Sequence, residues 1–260
     1  MLAMAIVTVQ AAIPFDSAKL SFVENDVRIG ALGGGASKSA AISDTVKASD
    51  YVQTAVDSRA ELTFQDNSIV RVGQSSLFTF EAASRTLSLK KGTMIFFVPP
   101  GSGGGNIKTP SLTAAITGTI CKVSKEKKRE LMAVLSGELN TTYGRVPAGW
   151  VIEWSNGKVR IYRFNPSETT KGKLFLLGNR RLPEEPEVLS AARLRNYSAP
   201  DLSKFDRHEN AVLNPEIKDF EPEPDPTPDV EQPPDAKDPE PTPVPPRPDK
   251  TPVDDNPGYF

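Results

Sequence analysis

Cysteine and histidine are almost missing from this chain: 260 residues hold one Cys (Cys121) and one His (His208). A single thiol excludes an internal disulfide. Zinc and non-haem iron centres gather several His or Cys ligands into one cluster, and no such set is available, so no metal or other cofactor is expected. Long apolar runs are also lacking. The run at residues 2–9 is far shorter than the roughly 20 apolar residues that span a bilayer, so no transmembrane helix is expected. Before residue 184 no window carries a helical period.

Charge is present but divided. The net charge is −2, yet residues 219–260 hold 12 acidic and 3 basic side chains, leaving residues 1–218 with 28 basic against 21 acidic groups. Of the 24 prolines, 14 fall between Pro222 and Pro257. A stretch with so few large apolar residues cannot offset the backbone entropy of ordering, about 1–2 kcal/mol per residue, and is expected to be a disordered, extended acidic tail. At the other end, residues 1–12 finish in Val9-Gln10-Ala11-Ala12 and read as a cleaved export signal, with a first buried strand as the alternative. Export places the protein in the periplasm or outside the cell.

Between these ends the pattern is β. Ala60, Leu62 and Phe64 alternate with Glu61, Thr63 and Gln65, and Trp150, Ile152 and Trp154 repeat the period. Residues 94–98 and 131–135 are apolar at every position and should be central strands covered on both faces. Turn signals recur at Asp66-Asn67-Ser68, Gly73-Gln74-Ser75, Lys90-Lys91-Gly92, Ser136-Gly137, Pro147-Ala148-Gly149 and Ser155-Asn156-Gly157. The spacing predicts an all-β fold of two stacked, mostly antiparallel sheets, sandwich or β-helix-like. One short helix is expected over 187–195, within a C-terminal extension (165–218) that packs on the domain. The predicted core is Leu62, Phe64, Val72, Phe80, Leu89, Phe96, Ile116, Val134, Leu135 and Ile152.

Catalytic patterns fail on inspection, and no catalytic, cofactor-binding or metal-binding residue is assigned. In the glycine cluster at residues 30–35 the following Ala36 stands where a P-loop needs lysine. The cluster at residues 101–105 lacks the third glycine of a dinucleotide fingerprint and opens a strand. Ser88/Lys91 and Ser124/Lys127 match Ser-x-x-Lys, a pattern common by chance. His208 stands among charges near the tail, unlike the held histidine of a Ser-His-Asp triad. Cys121, between Ile120 and Val123, reads as a core thiol. Lys122, Lys125, Lys127, Lys128 and Arg129 form a basic cluster without interleaved aromatics, which points to a solvated hairpin tip and away from nucleic acid.

Three stretches resemble the FecR domain, an extracytoplasmic module of bacterial iron signalling, over about residues 22–164. The first joins Val52-Gln53-Thr54, Ser58-Arg59-Ala60-Glu61-Leu62 and Asp66-Asn67-Ser68. The second joins Leu87-Ser88-Leu89-Lys90-Lys91-Gly92, Thr109-Pro110 and Gly118-Thr119. The third is Val134-Leu135-Ser136-Gly137-Glu138-Leu139. Asp66-Asn67 reads as a type I′ turn, in which Asn67, standing where the family has glycine, is expected to be slightly strained or accommodated by a longer loop. Gly92, Gly118 and Gly137 read as strand ends where a Cβ would obstruct. The resemblance implies a free-standing exported FecR domain without the family's cytoplasmic anti-sigma segment. It is expected to be a non-enzymatic binding or scaffolding module of the cell envelope, partnered by an envelope protein or an anionic polymer. The alternative is an extracytoplasmic regulator working with a membrane partner and an outer-membrane receptor. The oligomeric state is left open.

Overall fold

In the computed structural model, the described residues are 12–164, 174, 176–177, 180–182 and 211–218. The segments read as export signal (apart from Ala12), helix and tail, together with His208, lie outside them. Contacts divide the chain into Met1–Glu223 and Pro224–Phe260, and every described strand lies in the first.

The described residues form strands and turns without a helix, so none is long and apolar enough to cross a membrane. The strands are β1 (Ser17–Glu24), β2 (Val27–Ala31), β3 (Lys38–Ser39), β4 (Thr45–Lys47), β5 (Asp50–Thr54), β6 (Arg59–Phe64) and β7 (Ile69–Val72). β8 (Leu77–Glu81), β9 (Thr86–Val98), β10 (Gly105–Lys108), β11 (Thr113–Ile116), β12 (Thr119–Glu126) and β13 (Arg129–Ser136) follow. Next come β14 (Glu138–Thr141), β15 (Gly144–Pro147), β16 (Trp150–Ser155) and β17 (Lys158–Phe164). β18 (Leu176–Leu177), β19 (Arg180–Arg181) and β20 (Ala211–Lys218) complete the set.

One sheet runs β4-β1-β6-β7-β9-β12-β13-β16-β17-β20. The other runs β3-β2-β5-β8-β9-β10-β11-β14-β15. Pairing is antiparallel except at β9–β10 and β17–β20, so the architecture is mixed. β9 belongs to both sheets: residues 86–91 pair with β8, residues 92–98 with β7 and β12. Lys90-Lys91-Gly92 is therefore not the expected turn, and Gly92 does not end a strand. At φ 88° it sits where the register of β8 slips between Leu77 and Phe78, and the strand bends from one sheet into the next. Glycine and a bulge together let a strand turn a corner without ending.

The inner faces share one core. Leu62, Phe64, Val72, Phe96, Val134 and Ile152 meet Phe78, Phe80, Leu87, Leu89 and Ile116 from the other sheet. Phe64 and Phe80 touch edge to face across it, centroids 5.0 Å apart. Every predicted core residue is buried. Ile95, Phe97, Leu131, Ala133, Leu135 and Val151 bury a second apolar face on the outside of the larger sheet, with Leu182 and Leu174 packed against it. Residues 94–98 and 131–135 are thus covered on both sides, as their unbroken apolar sequence requires.

The turns follow local chemistry. Asn156 and Gly157, at φ 50° and 78°, make the two-residue link between β16 and β17 that Asn-Gly favours. At Asp66-Asn67 the longer of the two expected arrangements is found, in place of a type I′ turn. The Asn67 amide donates to the Phe64 carbonyl at 3.1 Å, Asn67 alone is left-handed (φ 64°), and Phe64 N–H bonds to Ser68 C=O at 2.9 Å. A three-residue loop asks for one left-handed residue, which Asn supplies more readily than Asp.

Candidate functional site

Several of the residues that carried the family resemblance are bonded inside the fold. Thr54 Oγ1 donates to the Gly73 carbonyl at 2.5 Å and accepts from Ser76 N–H at 2.9 Å, joining the β5 end to the β7–β8 turn. Ser58 Oγ accepts from Asp26 N–H at 3.1 Å and so fastens the β1–β2 turn. Asp66 accepts from Ser68 N–H and Oγ at 2.9 Å each and from Arg85 at 2.5 Å. Arg85 continues to the Gly104 carbonyl at 2.6 Å and lies 3.9 Å above the Phe15 ring. Thr119 Oγ1 donates to the Glu138 carbonyl at 3.0 Å, while a Cβ on Gly137 would stand 2.4 Å from the Gly118 carbonyl.

Thr109, of the Thr-Pro signature, donates at 2.7 Å to Glu130, a carboxylate that also accepts from Ser111 N–H at 2.7 Å and Ser111 Oγ at 3.0 Å. Glu130 is 1% exposed. Burying a carboxylate is tolerable only when its lone pairs are met, and here three donors and the Lys125 ammonium at 3.6 Å meet them.

The remaining motifs separate. The first glycine cluster leads from the end of β2 towards β3 and the second leads into β10, so neither opens a helix that could hold a phosphate on its N-terminus. Ser124 is buried and its hydroxyl faces Thr93 Oγ1 at 3.1 Å, whereas Lys127 stands at an exposed hairpin tip. Ser88 is buried and Lys91 exposed. Cys121 is a buried, free thiol whose pKa burial pushes well up, which makes it inert as a nucleophile. Among the described residues no group of His, Cys, Asp and Glu could hold a metal ion.

Two buried charged groups have no counterpart in the sequence reading. Glu61 and Arg71 pair at 2.8 Å, each 1% exposed, with Ser21 Oγ donating to Glu61 at 2.7 Å and Arg71 to the Leu174 carbonyl at 3.1 Å. A signal was available: the two residues are cross-strand partners equidistant from the Asp66-Asn67 loop. Glu153 accepts from Arg129 and from the Tyr162 hydroxyl, both at 2.9 Å. Burial, reinforced by Glu153, drives the Tyr162 pKa upward. Partial burial pulls the Arg129 pKa down, but the hydrogen bond and charge of Glu153 together with Tyr162 outweigh it, and the pKa rises.

A row of exposed basic side chains lines one rim of the larger sheet. The β12–β13 hairpin ends in Glu126-Lys127-Lys128-Arg129, as expected for a solvated tip. Registers place this tip beside the β16–β17 turn (Arg129 opposite Ser155, Ser155 opposite Lys158) and beside the corner of β9 (Lys125 opposite Gly92). Lys90, Lys91, Lys127, Lys128, Lys158 and Arg160 are exposed along this rim, and none has an ion-pair partner among the described residues. Lys125 is engaged with Glu130 and Arg129 with Glu153.

Residues 50–140 match the family described as FecR protein. All three signature stretches fall within that span. Two crystal structures of a proposed anti-sigma factor from Parabacteroides distasonis, at 1.65 and 2.50 Å resolution, are similar at 16% identity with TM-scores of 0.42 and 0.41. Each match covers 46% of this chain and 62% of the other, so less than two thirds of that protein is spanned. No curated protein sequence matches. The FecR family model thus matches about a third of the chain, residues 50–140, within the part whose described residues form strands and turns without a helix.

Proposed function

We propose that the protein is a non-enzymatic, exported binding or scaffolding module of the bacterial cell envelope. The observation that carries this reading is the fate of the FecR signatures: Thr54, Asp66, Thr109 and Thr119 are all bonded within the fold, so the motif residues build a scaffold and leave contact to its surface. The body includes residues past the family match, since β16, β17 and Leu182 complete the outer apolar layer. The acidic, proline-rich residues 219–260 serve as a spacer. A second reading, favoured by the FecR match itself, is an extracytoplasmic regulator that relays a signal through a membrane partner and an outer-membrane receptor.

The test is photo-cross-linking of tagged full-length chain in intact cells, followed by fractionation and N-terminal sequencing. The expected result is periplasmic or extracellular protein beginning near Ala12 or Ile13 and joined to an envelope partner. Cytosolic chain with Met1 intact overturns export. A receptor and a membrane regulator among the cross-linked products select the second reading.

A further inference from the structure

We propose that the rim formed by the β9 corner and the β12–β13 and β16–β17 turns is the docking surface of this module, and that its partner presents an extended acidic polypeptide segment. The inference rests on the binding-module reading and names the surface and the chemistry of its partner.

Three separate stretches of chain converge on this rim. β9, β12, β13, β16 and β17 are successive neighbours, so at about 4.8 Å per strand the row from Lys91 to Lys158 is about 19 Å long. The two hairpins lie side by side, which sets their tips about 10 Å apart, the span of about three residues of an extended chain. Carboxylates two or four residues apart share one face of an extended segment, about 7 or 13 Å apart. The flexible lysine stems take up the difference, so such a pair meets Lys127 or Lys128 on one tip and Lys158 on the next. Glu126 is the exposed acid on the β12–β13 tip, against Lys127 and Lys128 beside it.

The rim also selects among anions. Five of its six unpaired cations are lysines, compact point charges without the planar fork that grips phosphate in a fixed geometry. No exposed aromatic ring stands among them; Trp154 is half-buried and packs against the inner core. Nucleic acids held by base stacking find no platform there. Single, flexibly held carboxylates suit such a surface, and attraction of this kind steers encounter and weakens with salt.

The test measures binding of a labelled oligo-glutamate peptide to the full chain by fluorescence anisotropy, across a salt series, with single-stranded DNA as the competing class. Lys127→Glu/Lys128→Glu/Lys158→Glu is compared with Lys19→Glu/Lys47→Glu, which reverses exposed charges on strands β1 and β4, and circular dichroism checks that both variants keep the β spectrum. The expected result is a salt-dependent affinity that falls about tenfold or more in the rim variant and holds in the control. Equal losses in both variants, salt-independent binding, stronger binding of DNA, or no peptide binding overturns the proposal. In intact cells, an envelope partner still cross-linked to the rim variant overturns the rim and leaves the binding module standing. Absence of any partner for the unaltered chain removes the binding module itself.

Discussion

Glu130 on β13 accepts a 2.7 Å hydrogen bond from the hydroxyl of Thr109, so a carboxylate of the larger sheet holds the β10–β11 turn of the smaller one. The bond crosses between two sheets that also meet through their apolar inner faces, through the shared strand β9, and through the Thr119–Glu138 and Asp66–Arg85 bonds. It gives the Thr-Pro signature a physical role: proline ends the β10 ladder, and threonine fastens the turn that follows.

Replacing Glu130 by glutamine turns an all-acceptor group into one that points an amide at donors already present. Glu130→Gln is expected to lower unfolding stability by about 1–3 kcal/mol. Thr109→Val leaves both Ser111 bonds in place and is expected to cost about 1 kcal/mol. Urea unfolding of the two variants checks the order, and a Glu130→Gln variant as stable as the parent would contradict the account.

Gly92 is required by space as well as by φ. A Cβ there would lie 2.0 Å from Ser76 Oγ and 2.6 Å from Ser76 Cα, whereas one on Gly157 meets nothing within 4 Å. Gly92→Ala is expected to cost about 2–5 kcal/mol from the left-handed backbone and the clash together. Gly157→Ala carries only the backbone cost, about 1 kcal/mol. Thermal unfolding reads the difference, and equal losses would mean the corner is softer than its geometry implies.

Alkali should destabilise the fold in a defined direction. Burial raises the Cys121 thiol above its ordinary 9.0, and burial followed by Glu153 raises the Tyr162 phenol above its ordinary 10.0. Both groups hold protons more tightly folded than unfolded. Their contribution is complete below pH 9 and is lost as pH climbs beyond it. Denaturant midpoints between about pH 8 and 11 should fall, with a shallower fall in Cys121→Ala and Tyr162→Phe. Native Cys121 should resist thiol reagents until the chain unfolds. A midpoint that rises with pH over that interval would refute the assignment.

How far the fold could be read ahead depended on how local each determinant is. Leu62, Phe64 and Ile152 were legible because alternation at period two is written in neighbouring residues, and a one-residue slip would turn every side chain outward. The basic tip at Lys127-Lys128 was legible because a hairpin brings its own two arms together. Residues 94–98 and 131–135 announced a second covering layer through apolar residues on both faces, but not what covers them. Leu174 and Leu182 lie well beyond both runs in sequence.

The sequence by itself determined the all-β class, the inner core, most turns and the FecR signatures, since each rests on side-chain periodicity or on backbone preferences within a few residues. Only the tertiary structure decided that β9 passes through Gly92 from one sheet to the other, because a left-handed glycine reads alike as a turn or as a corner until its partner strands are in place. It alone joined Glu130 to Thr109, and Lys91 to Lys127 and Lys158. Those meetings depend on which distant strands become neighbours, and that is settled by burial of two apolar faces in one compact body, where many weak contacts act together and no single stretch of sequence records the result.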